Sequence, residues 1–156
     1  TEPSEGEIVI GDNNIIREYS TINLPTRFSK ITSIGSNCYF MALSHIAHDC
    51  VVADNVIFSN NATLGGHVHI MQNAQVGFSA TIHQYQVIGS YCMIGMGTVI
   101  PRNKKILPGT KWVGNPAKML GMNDVGLQRA GISEEDLEKE KQYYENISRR
   151  LNSHTS

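Results

Sequence analysis

The sequence predicts an all-β solenoid, a parallel β-helix of hexapeptide repeats, followed by a short C-terminal α-helical segment. Every sixth residue from Ile10 to Trp112 is apolar, and most of these eighteen residues are β-branched. A small residue usually stands four positions after the apolar one, and glycine often follows it directly. Because a helix needs a period of about 3.6 residues and a simple strand a period of about 2, a period of six indicates a solenoid.

Each hexapeptide is expected to form one flat face and one corner, so that three of them close a triangular coil. The large apolar residue points inward, the small residue fills the remaining interior space, and Asn, Asp and Gly form the tight corners. Successive coils then hydrogen-bond as parallel strands about 4.8 Å apart. We assign residues 1–118 to this β-helix domain.

The repeat is weakest near its beginning. The first nine residues are not a proven part of a coil. The stretch LPTRFSK, residues 24–30, contains Pro25 and two basic residues, and we interpret Phe28 as part of a short loop rather than of a strand.

Two helices are predicted in residues 119–156, which we assign to a C-terminal helical segment. The first begins at Asn123 or Asp124 and ends at Gly131. The second is capped by Ser133. Four of its residues form one apolar stripe, which must lie on the solenoid or on a partner helix: Leu137, Tyr144, Ile147 and Leu151.

Composition excludes several classes of function. The net charge of −1 gives no argument for binding nucleic acid or an anionic membrane. No apolar run is long enough to span a bilayer, and no signal-peptide pattern is present. Three cysteines without CxxC spacing fit a reducing compartment, so we expect a cytoplasmic protein. Cys38, Cys50 and Cys92 all fall at the small inward position, which indicates core packing rather than nucleophilic catalysis.

Histidines gather along one predicted edge of the solenoid. Counted in coils of eighteen residues, His67 and His83 each fall within one position of His48. His45 lies just before this edge, and Gln84 is in line with His48. All are at or near corners, where side chains point outward.

Three interpretations of these histidines stay open. They are ordinary exposed corner residues, ligands of a metal ion, or bases in acyl transfer. Histidines from neighbouring subunits could hold zinc with an open coordination position. Alternatively, a neutral imidazole could take a proton from a sugar hydroxyl or amine as it attacks a thioester. In acyl transfer, Asp49 could orient His48. Gly65 and Gly66 would allow close backbone approach, and an exposed N–H there could hold an oxyanion.

Long motifs resemble one known family. The stretches MALSHIAHDCVVADNVIFSNNATLGGHV, IHQYQVIGSYCMIGMGTVI, VGNPAKMLGMN and GLQRAG resemble the UDP-N-acetylglucosamine O-acyltransferases, which begin lipid A biosynthesis. The resemblance implies a homotrimer of left-handed β-helices with its active site between subunits. It also implies transfer of a 3-hydroxyacyl chain from acyl carrier protein to the 3-hydroxyl of UDP-N-acetylglucosamine, without a metal or a bound cofactor.

The same resemblance implies roles for individual residues. His48 is the expected general base, Asp49 its partner, and the Gly66 N–H the expected oxyanion donor. Four residues match positions that contact the sugar nucleotide or the acyl-pantetheine arm: His45, His67, His83 and Gln84. Asn123 and Arg129 match positions near the base and phosphates of the nucleotide.

Met96 matches the position that sets acyl length in the family. Because methionine shortens the groove that a glycine leaves open, we expect a preference for a shorter hydroxyacyl chain. Family members carry further coils upstream of the region matched, and this sequence starts at Thr1. We therefore expect a truncated or short member of the family, or a piece of a longer enzyme, with weakened or altered activity.

Three other hypotheses stay open at this point. The first is a sugar-nucleotide N-acyltransferase that uses an acyl-coenzyme A or acyl carrier protein donor. The second is a zinc enzyme of the hydratase type. The third is a non-catalytic short paralogue that binds a nucleotide sugar or acyl carrier protein.

Overall fold

The computed structural model describes residues 5–153 and contains a three-sided solenoid, in which all strands except the last pair in parallel. Sheet 1 consists of β1 (Glu7–Ile10), β4 (Ile31–Ile34), β7 (Val51–Val52), β10 (His69–Ile70) and β13 (Val87–Ile88). Sheet 2 consists of β2 (Ile15–Ile16), β5 (Tyr39–Phe40), β8 (Ile57–Phe58), β11 (Gln75–Val76), β14 (Met93–Ile94), β16 (Thr110–Val113) and β17 (Lys118–Met122). Sheet 3 consists of β3 (Thr21–Ile22), β6 (His45–Ile46), β9 (Thr63–Leu64), β12 (Thr81–Ile82) and β15 (Val99–Ile100). The predicted fold class is confirmed.

The strand register confirms a coil of eighteen residues and reveals one longer coil. Ile34 pairs with Val52, a shift of 52 − 34 = 18 residues. Ile10 pairs with Ile34, a shift of 34 − 10 = 24 residues. Six extra residues are therefore inserted between β3 and β4. Phe28 is 76% exposed in this insertion, as expected for a loop residue.

The interior follows the hexapeptide pattern. Large inward residues from Ile34 to Ile106 are almost fully buried. The predicted small residues fill the space between them, and Cys38, Cys50 and Cys92 are buried and reduced. The cysteine prediction is therefore confirmed. Burial raises the pKa of Cys50 to about 12 and that of Cys92 to about 11, so neither thiol supplies a nucleophilic thiolate near neutral pH.

A left-handed backbone conformation recurs at the corners with the period of the repeat. Asn37, Asp49, Asn61 and His67 are examples, with φ close to +60°. Asn and Asp tolerate this conformation better than most residues, which explains their frequency at corners.

Both predicted helices are present. Helix α1 (Asp124–Ala130) is capped by Asn123 and ends at Gly131. Helix α2 (Glu134–Ser153) begins after Ser133, whose hydroxyl accepts a hydrogen bond from the N–H of Asp136 at 3.1 Å.

The apolar stripe of α2 packs on sheet 1, where Tyr144 and Ile147 join Met71 and Val87 in a small second core. The boundary predicted between residues 118 and 119 falls at the beginning of β17, and the division into two domains stays a prediction. None of the helices described combines the length and apolar character needed to cross a membrane.

Candidate active site

The connections from sheet 3 to sheet 1 form one edge of the solenoid, which we call the histidine edge. It comprises residues 47–50, 65–68, 83–86 and 101–105. The N–H of His67 donates to the carbonyl of His48 at 3.0 Å, and the N–H of Tyr85 donates to the carbonyl of Gly66 at 3.0 Å. These bonds hold neighbouring coils in register, so the predicted gathering of His48 and His67 on one edge is confirmed.

Asp49 is buried at this edge and turns back toward His48. Its backbone lies in the left-handed region, with φ of 60°. Oδ2 lies 2.7 Å from Nδ1 of His48. The inserted loop encloses the carboxylate: the N–H of Thr26 donates to Oδ1 at 3.0 Å, its hydroxyl donates to Oδ2 at 2.7 Å, and the hydroxyl of Ser29 donates to Oδ1. The Asp49 side chain is thereby inaccessible to solvent.

These contacts keep Asp49 ionised. Burial by itself raises the pKa of this carboxyl, but hydrogen bonds from Ser29, Thr26 and His48 outweigh burial and lower the pKa to about 2. An ionised carboxylate only accepts hydrogen bonds. Nδ1 of His48 must therefore carry the proton, which leaves the lone pair of the neutral ring on Nε2. The ring is oriented as a general base requires, and 39% of the His48 side chain is exposed.

Gly66 lies directly against the His48 ring. A Cβ atom at Gly66 would lie 2.7 Å from Nε2 and 2.4 Å from Cε1, so only glycine fits beside this ring orientation. The Gly66 N–H makes no backbone hydrogen bond within the described part of the chain. It is therefore available as a donor close to the base.

His67 forms a second layer of the site. Its Nε2 lies 3.5 Å from Oδ2 of Asp49, and its ring meets the His48 ring edge-on at a centroid distance of 5.2 Å. On its other side the ring stacks on Tyr85, with centroids 4.4 Å apart and planes 6° from parallel. The ring of Phe28, in the inserted loop, meets the His67 ring edge-on, with the two ring centroids 6.5 Å apart. His67 is thus held between aromatic side chains.

Two other predicted residues lie on or next to the histidine edge, His83 within it and His45 just before it. His45 lies on β6, and its Nδ1 is 2.7 Å from the hydroxyl of Thr21. His83 is exposed and donates from Nδ1 to the carbonyl of Gln84 at 3.1 Å. Because that nitrogen donates, the other nitrogen of a neutral His83 can accept a hydrogen bond from a ligand.

Three predicted residues lie on other parts of the solenoid. Asn123 caps α1 and donates from its amide to the carbonyl of Tyr91 at 2.9 Å, on the edge between sheets 1 and 2. Arg129 is exposed in the last turn of α1. Met96 is 76% exposed on the edge between sheets 2 and 3. A single chain does not bring these residues together with His48.

A metal could in principle use the same groups, since ligand atoms of His48, Asp49 and His67 lie within 4.8 Å of one another. The hydrogen bonding of the carboxylate opposes this use. Its oxygens already accept from the Thr26 N–H, the Thr26 hydroxyl, the Ser29 hydroxyl and His48. Since a carboxylate offers about four acceptor positions, a metal would have to displace these donors. The donor set therefore suits a base and its partner better than a metal centre.

Sequence reasoning missed the residues that complete the site. Thr26, Ser29, Phe28 and Tyr85 were not assigned a role, although they fix Asp49 and His67. The available signal was the inserted stretch itself. Six extra residues placed between sheet 3 and sheet 1 must lie on the histidine edge.

Comparisons with known proteins match both the repeat and the fold. Residues 31–66 match the family model described as bacterial transferase hexapeptide (six repeats). The acyl-[acyl-carrier-protein]–UDP-N-acetylglucosamine O-acyltransferase of Gloeothece citriformis is 37% identical over 96% of this chain and 56% of its own length. The same enzyme of Alkalilimnicola ehrlichii is 41% identical over 92% of this chain and 54% of its own length.

A solved structure extends the similarity. The UDP-N-acetylglucosamine acyltransferase of Bacteroides fragilis superposes with a TM-score of 0.81 at 30% identity, covering 97% of this chain and 63% of that one. The chain spans about half the length of the curated relatives it matches. Over this shared region, the chain belongs to the UDP-N-acetylglucosamine O-acyltransferase family.

Proposed function

We propose that the chain carries the acyl-transfer site of an enzyme that moves a 3-hydroxyacyl group from acyl carrier protein to the 3-hydroxyl of UDP-N-acetylglucosamine. One observation is the main support for this proposal: His48 lies between the buried carboxylate of Asp49 and the backbone of Gly66. The names of the relatives supply the two substrates. The product would enter lipid A biosynthesis in the cytoplasm, where acyl carrier protein is charged.

In the proposed mechanism, Nε2 of His48 removes the proton from the sugar hydroxyl as its oxygen attacks the thioester carbonyl. Asp49 stabilises the resulting imidazolium through Nδ1. The tetrahedral oxyanion accepts a hydrogen bond from the Gly66 N–H. When the intermediate collapses, the C–S bond breaks, and the departing thiolate takes the proton back from His48. The base is regenerated, and ester and thiol are released.

A homotrimer would complete the site. Within one chain, Met96 and Arg129 lie on other edges of the solenoid than His48. In a closed three-fold assembly, different edges of adjacent chains face each other. The neighbour would then supply the wall that binds the acyl chain and the nucleotide. Met96 would shorten that acyl groove.

The central test is transfer of a labelled 3-hydroxyacyl group from acyl carrier protein to UDP-N-acetylglucosamine. We expect His48→Ala to lose 100-fold or more in kcat, with partial recovery when free imidazole is added. Recovery by imidazole identifies a missing base, whereas a merely misfolded variant would not recover. Unchanged transfer by His48→Ala would reject the mechanism.

Further arms of the same assay address the other hypotheses. Coenzyme A thioesters and UDP-linked amino sugars test an N-acyltransferase. Treatment with a zinc chelator should leave activity unchanged. Binding of UDP-N-acetylglucosamine without turnover would identify a non-catalytic paralogue. Met96→Gly should shift the preferred donor toward longer acyl chains, and no shift would remove its role in acyl length.

A further inference from the structure

The tip of the inserted loop combines two anchored residues with two exposed ones. The side chains of Thr26 and Ser29 turn toward Asp49 and donate to its carboxylate. Arg27 and Phe28, which stand between them in the chain, are exposed. Because the residues on both sides are bonded to a buried group, the backbone of the tip is held in place. Arg27 and Phe28 are therefore exposed side chains on a fixed support.

The Phe28 ring presents an apolar surface next to the candidate base. It is 76% exposed, although it meets the His67 ring edge-on. The His67 ring in turn lies 5.2 Å from the His48 ring, centroid to centroid. An aromatic ring in this position can pack on the C–H groups of a sugar ring, because the contact removes apolar surface from water. The ring therefore favours a ligand with an apolar face.

Arg27 holds a positive charge beside the same ring. Its guanidinium carbon lies 5.4 Å from the centroid of the Phe28 ring. Among residues 5–153, Arg27 forms no ion pair. The contact with the ring leaves the N–H groups of the guanidinium, which lie in its own plane, free to donate. An arginine whose donors are free in this way suits a phosphate group.

Together the two side chains restrict the ligand further. Arg27 and Phe28 contact each other, so the ligand must carry its anion directly beside its apolar ring. In a nucleoside diphosphate sugar, the diphosphate is bonded to C1, and a single ring carbon separates C1 from C3. Such a ligand can reach Arg27 with a phosphate while its 3-hydroxyl lies at His48. In the acyl donor, by contrast, the long pantetheine arm separates the phosphate from the thioester.

We propose that Arg27 and Phe28 are specificity-determining residues that bind the sugar-nucleotide acceptor, an inference that rests on the proposed function. Phe28 packs on the sugar ring, and Arg27 donates to the diphosphate. This phosphate contact comes from the same chain and the same edge as His48, whereas Arg129 lies on another part of the solenoid. The loop that encloses Asp49 is then also the segment that selects the acceptor.

Binding of UDP-N-acetylglucosamine and of UDP to the full chain, measured by isothermal titration calorimetry, tests the inference. Arg27→Gln should weaken both ligands about tenfold, because both carry the diphosphate. Phe28→Leu should weaken UDP-N-acetylglucosamine about fivefold and leave UDP unchanged, because UDP lacks the sugar. Phe28→Tyr, which keeps the ring, should bind both ligands normally. The matched control is Lys30→Gln, which removes one positive charge from an exposed residue of the same loop and should change neither affinity.

Acyl transfer provides a second readout. Arg27→Gln and Phe28→Leu should raise KM for UDP-N-acetylglucosamine more than they lower kcat, and they should leave KM for the acyl carrier protein substrate unchanged. A rise in KM for the acyl donor alone would overturn the assignment to the acceptor. Thermal unfolding checks that each variant is folded.

Unchanged affinities of Arg27→Gln and Phe28→Leu would overturn the inference, as would an equal loss of affinity in Lys30→Gln. A lower oligomeric state of Phe28→Leu with normal affinity would show that the ring serves an interface instead. Acyl transfer that is insensitive to both variants would reject the inference and retain the proposed function. The expected binding pattern in a chain without transfer activity would do the reverse. If the unmodified chain bound neither ligand, both would be rejected.

Discussion

Nδ1 of His48 lies 2.7 Å from Oδ2 of Asp49, a carboxylate that the inserted loop closes off from solvent. The bond fixes both the orientation and the tautomer of the imidazole. Four donors converge on that carboxylate, so it remains ionised and cannot donate back to the ring.

Asp49→Asn should reduce acyl transfer by about 100-fold or more. The amide of an asparagine can donate to Nδ1, which would move the ring proton to Nε2 and remove the base. kcat at neutral pH measures the effect. Asp12→Asn, an exposed corner residue, is the control and should retain full activity. Equal activity of the two variants would show that Asp49 does not set the tautomer.

Gly66→Ala should abolish most activity because the new methyl group would overlap the His48 ring. The steric origin of the effect can be isolated with a double-mutant cycle. Gly66→Ala should lower the Tm in the unmodified chain, and it should lower the Tm less in a His48→Ala background, where the ring is absent. Additive changes in Tm would contradict the predicted contact.

Asp49 should also contribute to acid sensitivity. Its folded pKa of about 2 lies below its ordinary value of 3.8. The stabilisation is therefore fully present above pH 4 and is lost as the pH falls from about 4 to about 2. The loss should be at most about 2 kcal/mol in the free energy of unfolding. Urea unfolding at several pH values measures it, and Ser29→Ala, which removes one donor to the carboxylate, should flatten the dependence.

His69 predicts a second dependence on pH with a different midpoint. His69 is a half-buried residue of β10, and burial lowers its pKa from 6.5 to about 4. The unfolded chain therefore binds a proton first, and stability falls as the pH drops from about 6.5 to about 4. The loss should reach up to about 3 kcal/mol. His69→Gln should remove this loss, whereas His83→Gln, at an exposed position, should preserve it.

Adjacent tyrosines of α2 provide a matched pair for testing how the helix is attached. The N–H of Ile106 donates to the hydroxyl of buried Tyr144 at 3.1 Å, whereas Tyr143 is 56% exposed. Tyr144→Phe leaves that buried N–H without its partner and should cost about 1–3 kcal/mol in the free energy of unfolding. Tyr143→Phe should cost almost nothing. Equal effects in chemical unfolding would reject this role of the hydroxyl.

The sequence determined the solenoid because the repeat is local. Each inward residue of a hexapeptide meets the same surroundings as the one eighteen residues later, so periodicity alone identifies the core. The same count placed His48 and His67 on one edge, and both helix starts followed from their capping residues.

Only the tertiary structure decided how that edge becomes a site. The Asp49 side chain turns toward His48 because the Asp49 backbone adopts a left-handed conformation, which the sequence position alone does not reveal. The enclosure of its carboxylate depends on how Thr26 and Ser29 fold back in a loop that breaks the repeat. The space between Tyr85 and Tyr144 is enclosed because α2 docks beside the histidine edge. Residue spacing predicts neighbours only where the chain follows the regular repeat. These contacts involve irregular segments, whose positions depend on how the whole chain packs.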